Sequence, residues 1–304
     1  MPKVQYQDFN FRQKTLEIID QVNDIVDSYS AKGYNLTLRQ VYYQLVTKNI
    51  IENSERSYKN VGGVINDGRL AGMIDWTSIE DRTRNLRKFR HYSDMPEFIE
   101  SVSRSYMLER WKGQENYVEV WVEKDALVDI VGRACNSLDT PFFSCRGYVS
   151  QSEMWSAAQR LIRMQDDFGM RPVIIHLGDH DPSGIDMSRD IEERLGMFVG
   201  EPVFLERIAL NREQIDKYNP PPNPAKVTDS RARSYIKQHG TSSWELDALR
   251  PEVLTDLIKN SIHEYLDVDL YQEQCDLEGE GDAFLGLVRD NFEAVKDFVD
   301  GNFA

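Results

Sequence analysis

The chain has 304 residues, 40% of them hydrophobic and 29% charged, and a formal net charge of −15. These values suit two domains with a substantial core. No apolar run is long enough to span a membrane, and the amino terminus lacks a signal peptide's apolar stretch. Cys135, Cys145 and Cys275 are too few and too widely spaced for a disulfide framework or a zinc site, so a reducing cytosol is expected.

In chain order, residues 10–30 carry Phe11, Leu16, Ile19, Val22, Ile25, Val26 and Tyr29 at three- and four-residue intervals, which predicts an amphipathic helix ended by Lys32-Gly33. Thr37-Leu38-Arg39-Gln40 reads as a capping box, with Thr37 as N-cap and Gln40 reaching back. A second helix over about 38–48 and a third over about 55–70 complete three short helices that fit a winged-helix unit, a kind of unit that docks a helix on DNA.

In the second helix Leu38, Val41, Tyr42, Leu45 and Val46 share one apolar arc, with Tyr42 near its middle as a core residue. Tyr43 falls roughly 140° round from Leu38 and is expected to be exposed. Arg39 lies one turn earlier on the same flank. An exposed phenol beside a guanidinium suits a nucleophile that attacks a phosphodiester, the Arg neutralising phosphate oxygens. It also suits an ordinary surface pair, and the pattern alone leaves both open.

Arg82, Arg84, Arg87, Lys88 and Arg90 form the one dense basic run, a candidate DNA-backbone contact or a solvated helix face or linker. Residues 1–112 hold seventeen Lys and Arg against fifteen Asp and Glu, whereas residues 241–304 hold four against sixteen. The negative charge therefore lies in the carboxyl-terminal part. It leaves the first domain able to meet phosphates, and DNA binding is expected to depend on divalent ions.

Tyr117 to Val122 reads as a strand covered on both faces and ends at Glu123. A helix follows from about Ala126, and another spans about Ser152 to Met164. Val173 to Leu177 is a second buried strand, closed by Gly178-Asp179-His180-Asp181-Pro182-Ser183-Gly184. Alternating strands and helices predict a mostly parallel sheet, with Glu123, Asp179 and Asp181 at its carboxyl edge. Acids at i and i+2 point the same way, and three oxygen donors without a His or Cys cluster favour Mg²⁺ or Mn²⁺.

Glu at one strand end and Asp-x-Asp-Pro-x-Gly at a later one resemble a TOPRIM domain of the topoisomerase VI A-subunit and meiotic double-strand-break transesterase family. Arg146-Gly147-Tyr148-Val149-Ser150 is similar to that family's glycine-containing loop, and Arg39-Gln40-Val41-Tyr42-Tyr43 to its Arg-acid-x-Tyr-Tyr motif, with Gln40 in place of the acid. The resemblance covers roughly residues 10–190, with a weaker echo in Trp244-Glu245-Leu246-Asp247-Ala248-Leu249. It implies an α/β chain with a winged-helix domain at 1–112 and a TOPRIM domain at 113–304 that carries an acidic helical extension.

It also implies that Tyr43 attacks DNA to form a 5′-phosphotyrosyl link, with Arg39 as phosphate partner and Mg²⁺ on Glu123, Asp179 and Asp181. The family acts as a homodimer on double-stranded DNA, the tyrosine of one subunit facing the acids of the other, and pairs with a separate ATPase subunit. That setting implies a cytoplasmic, nucleoid-associated protein. The alternative is a TOPRIM nuclease, of a kind that includes enzymes directed at mobile DNA, that hydrolyses DNA through metal-activated water and in which Tyr43 is not a nucleophile.

Past the sheet, residues 201–215 suggest a further strand and helix start, and Pro220, Pro221, Pro222 and Pro224 forbid helix. Leu254 to Tyr265 reads as an amphipathic helix. Phe284, Leu285, Leu287, Val288, Phe292, Val295 and Phe298 at helical spacing predict a packed final helix.

Overall fold

In a computed structural model of the chain, residues 3–80, 91–225, 229 and 231–303 are described. The basic run Arg82, Arg84, Arg87, Lys88 and Arg90 lies outside them. The fold is mixed α/β, and the chain packs as two compact units, Met1–Arg84 with Val118–Ile262 and Asn85–Tyr117 with His263–Ala304. The expected boundary at residue 112 falls inside the second unit.

Helix α1 (Gln13–Ser30) buries Ile18, Ile19, Val22, Ile25, Val26 and Tyr29, one stripe of its surface, as the spacing requires. After the short strand β1 (Leu36–Thr37) comes α2 (Leu38–Thr47), whose N-terminus is closed by the Thr37/Gln40 capping box. Helix α3 (Glu55–Leu70) starts at Ser54, whose side chain accepts from the Ser57 N–H. The three helices share one core in which Ile19, Val22, Val41, Leu45, Val61 and Ile74 are fully buried. Strand β2 (Ile79–Glu80) then pairs in parallel with β1. Among the described residues no antiparallel wing hairpin follows α3.

Helix α4 (Met95–Ser103) belongs to the second unit. Strand β3 (Asn116–Val122) opens a four-stranded parallel sheet. A 3₁₀ turn at Asp125–Leu127 and α5 (Val128–Asn136) lead to β4 (Phe142–Ser144). Helix α6 (Gln151–Phe168) precedes β5 (Arg171–Leu177), and α7 (Pro182–Val199) precedes β6 (Phe204–Ala209). The strand order is β4-β3-β5-β6. Residues 118–122 of β3 are buried at both parities, so both faces of the strand are covered. Glu119 tolerates this because it accepts from Trp121 Nε1 at 2.8 Å and pairs with Arg160 at 3.1 Å.

The turn after β5 explains its own sequence. Asp181 is the N-cap of α7, its Oδ1 accepting from the Gly184 N–H at 2.6 Å and from Ser183 Oγ at 2.9 Å, and Pro182 fits the first helical position. A Cβ on Gly184 would lie 2.2 Å from the Asp179 carbonyl oxygen, so no side chain fits there. Gly184→Ala is expected to lower stability by about 2 kcal/mol or more, read as a fall in melting temperature. An unchanged Tm would show that the turn relaxes freely.

His176, on β5, is fully buried with Nδ1 2.9 Å from Ser188 Oγ. Burial first, and Arg207 second, push its pKa down to about 3. The unfolded chain takes up the proton near pH 6.5 and the folded chain does not. This group's contribution to stability is therefore whole above about pH 6.5 and is lost as pH falls toward 3. Between pH 7 and 5 the unfolding free energy read from urea titrations should drop by about 2 kcal/mol more in the wild type than in His176→Gln.

Beyond the sheet come α8 (Arg212–Tyr218), β7 (Asn223–Pro224), α9 (Ala232–His239) and β8 (Ser242–Ser243), with β7 and β8 antiparallel. A 3₁₀ turn at Leu246–Ala248 and α10 (Pro251–Glu264) follow, the first unit ending at Ile262. In the second unit α11 (Val268–Asp290) lies along α4, tied by Arg110 to Glu278 and by Ser103 to Asp282, and α12 (Phe292–Phe303) ends it. The expectation of a single packed final helix is corrected. There are two helices, α11 has no buried residue, and Phe284, Leu287 and Phe298 are each more than 60% exposed. Helix α4 packs along α11, and these large apolar side chains remain exposed.

Candidate active site

The site forms where a distant segment closes over the end of β5. His180 and Trp244 exchange backbone hydrogen bonds of 2.9 and 3.0 Å in an isolated antiparallel bridge. This sets Glu245 and the 3₁₀ turn beside Asp179, and the Leu246 N–H donates to Asp179 Oδ1 at 2.7 Å. The same turn packs against α2 and so brings Arg39 and Tyr43 to the edge of the sheet. Arg39, Tyr43, Asp179, Asp181 and Glu245 then line one cleft of about 510 Å³.

An ion network fills its floor. Glu245 Oε2 accepts from both Arg39 Nη2 and Lys124 Nζ. Arg39 Nε lies 2.7 Å from Asp247 Oδ2, an ion pair without hydrogen-bond alignment. Lys124 Nζ is 3.0 Å from Asp247 Oδ1 and 2.9 Å from Asp179 Oδ1. Burial opposes the charge on Lys124, but Asp247, Asp179 and Glu245 outweigh it and hold the ammonium protonated well above its usual range. Burial also works against Glu245, and there Lys124 and Arg39 win, keeping the carboxylate below its usual range.

Tyr43 was expected to be exposed and is 4% exposed. An amphipathic arc locates one buried face, whereas α2 is covered by the helical core on one side and by residues 246–248 on the other. The Arg39 guanidinium carbon lies 5.9 Å from the centre of its ring. Burial, then Asp247 and Glu245, push the phenol up to about 12, against Arg39 and Lys124. Tyr42 is a core residue, as expected, donating to Asn53 Oδ1 and accepting from the Ser54 N–H, both at 2.9 Å.

The three predicted acids lie together at the strand ends, each already engaged. Glu123 Oε2 accepts from the Asp179 N–H at 2.8 Å. Burial raises its pKa, and Asp181 is close enough to add to the rise. Burial pushes Asp179 up to about 7, with Lys124 opposing and Glu123, Glu245 and Asp247 adding.

As donors these acids suit a hard divalent cation, and the mutual repulsion of Glu123 and Asp181 is what such a cation relieves. Asp179 is held by Lys124 and the Leu246 N–H. Among the described residues no three His, Cys, Asp or Glu side chains are arranged to hold a metal ion. The fit therefore extends to Glu123 and Asp181 and not to a three-acid shell.

Four members of the site were missed by sequence reasoning: Lys124, Arg207, Glu245 and Asp247. Arg207, on β6, donates to the carbonyls of Gly178, Asp179 and Gly184 at 2.9, 2.7 and 3.0 Å and so fixes the acid-bearing turn from below. Burial lowers its pKa to about 10. A signal for Glu245 and Asp247 was present, since they stand at i and i+2 like Asp179 and Asp181. Lys124 had only its place after Glu123.

No protein-family model matches the chain, and no curated protein matches it.

Proposed function

We propose that the chain is a DNA-cleaving transesterase of the topoisomerase VI A type, with an amino-terminal winged-helix-like part and a TOPRIM-like sheet. The observation that carries this reading is the sharing of one cleft by Tyr43, Arg39, Asp179 and Asp181. Tyr43 Oη attacks a backbone phosphorus as its proton passes to water, and the bond to the 3′ oxygen breaks. The released 3′ oxygen takes a proton from water, so no net proton is consumed. The product is a 5′-phosphotyrosyl link and a 3′-hydroxyl. Arg39 neutralises a phosphate oxygen. Arg207 keeps the turn that carries Asp179 and Asp181 in place. Mg²⁺ or Mn²⁺ bound at Glu123 and Asp181 would supply positive charge to the phosphate and the leaving oxygen. Duplex DNA in the nucleoid is the proposed partner, together with a second copy of the chain and a separate ATPase subunit.

A hydrolytic TOPRIM nuclease is the second reading. The burial of Tyr43 and its acidity near 12 favour it, because a phenol so held resists deprotonation. One experiment separates the two. The protein is incubated with supercoiled DNA and Mg²⁺ or EDTA and quenched with detergent, and protein-bound DNA is isolated. The transesterase gives an adduct with Mg²⁺ that Tyr43→Phe removes along with cleavage, by a factor on the order of 10⁴ or more. Cuts that survive Tyr43→Phe and vanish in Asp181→Asn establish the nuclease. Intact DNA with both variants and wild type ends both readings.

A further inference from the structure

We infer that Arg39 and Lys124 form a subsite for one phosphodiester group, and that the Glu245 carboxylate occupies this subsite in the resting chain. The inference takes DNA as the ligand from the proposed function, but the subsite itself stands on the geometry of the network.

A single oxygen, Glu245 Oε2, receives hydrogen bonds from a guanidinium of α2 and from the ammonium that follows β3. Two cationic donors from separate elements converging on one oxygen are what a non-bridging phosphate oxygen requires. Carboxylate and phosphodiester carry the same unit charge, so exchange of one for the other leaves the electrostatics of the floor unchanged.

The two acids beside these cations are not equivalent. The Asp247 side chain is fully buried and touches both Arg39 and Lys124 from below. The Glu245 side chain is 24% exposed, lines the cleft, and is carried by extended backbone ahead of the 3₁₀ turn. Rotation about its own side-chain torsions removes Glu245 from the cations, and Asp247 holds Arg39 and Lys124 in position after it leaves. The Lys124 side chain is 15% exposed with Glu245 in place and is uncovered when Glu245 swings out.

Tyr43 stands beside the pair, so a phosphate seated there lies next to the phenol. Lys124 thereby gains a role in binding, and Glu245 is a plug that DNA must displace. The cluster holds two cations against Asp179, Glu245 and Asp247, which makes the resting floor a poor anion site despite its two cations.

The test is binding of a fluorescein-labelled duplex oligonucleotide to the full chain in EDTA at low salt, followed by anisotropy. Glu245→Gln should bind roughly tenfold more tightly than wild type, the worth of about one charge-assisted hydrogen bond. Glu245→Asp, too short to bridge both cations, should show a smaller gain and serves if Glu245→Gln fails to fold. Adding Lys124→Met to Glu245→Gln should erase the gain.

Equal or weaker binding by folded Glu245→Gln and Glu245→Asp would overturn the inference, as would a gain that survives Lys124→Met. Tighter binding without covalent cleavage would retain the subsite and sink the transesterase. Covalent cleavage without tighter binding would do the reverse.

Discussion

Asp247→Ala is expected to lose about 3 kcal/mol of stability, the scale set by breaking a buried ion pair, and roughly 6–12 °C in melting temperature. Its carboxylate is fully shielded and is the contact that Lys124 and Arg39 share from the protein side. Without it Lys124, buried and charged, faces only Asp179 and Glu245. The Arg39 share of the loss is small, because that side chain is 42% exposed and screened by water. The effect should be larger than that of Glu245→Ala, whose carboxylate water can replace. Two equal losses would show that the floor is a diffuse surface network without a fixed lower half.

Mixing two inactive chains gives the second large effect. Tyr43→Phe and Asp181→Asn, co-expressed with different tags and purified as a mixed species, should remain unable to cut DNA. Tyr43 and Asp181 line the same cleft of the same compact unit, and the 246–248 turn contacts both α2 and the acid-bearing turn after β5. A site built within one chain stays broken in both halves of such a mixture. The resemblance to topoisomerase VI A subunits implies instead a tyrosine facing the partner's acids. That arrangement would rebuild one whole site and yield single-strand nicks. Recovery of nicking would thus replace the within-chain site with a shared one.

Much of the frame was legible because it depends on local rules. The capping box at Thr37 and Gln40 set the start of α2, and apolar runs ending in Glu123 and Asp179 set two buried strands with acids at their carboxyl ends. The Pro182-x-Gly184 turn was legible as punctuation, and its physical cause emerged only with the carbonyl that a Cβ at 184 would strike. What stayed hidden was long-range. Tyr43 was placed in solvent because the helical projection of α2 could not show a covering turn two hundred residues later. Glu245 and Asp247 read only as a weaker echo of the topoisomerase VI A resemblance, since nothing local says that His180 pairs with Trp244. Lys124 passed as a flanking charge, although at the end of a parallel strand it points into the site as Glu123 does. The exposed Phe284, Leu287 and Phe298 mark the opposite error, where helical spacing was taken to imply a covering partner.

The most direct measurement is the chemical identity of the protein–DNA junction. Detergent-quenched complexes formed with Mg²⁺ are digested with nuclease and then with protease, and the peptides are sequenced by mass spectrometry. The expected result is a nucleotide joined through its 5′-phosphate to the peptide containing Tyr43, on Tyr43 and not on Tyr42. DNA that is cut while every Tyr43 peptide is recovered unmodified would contradict it.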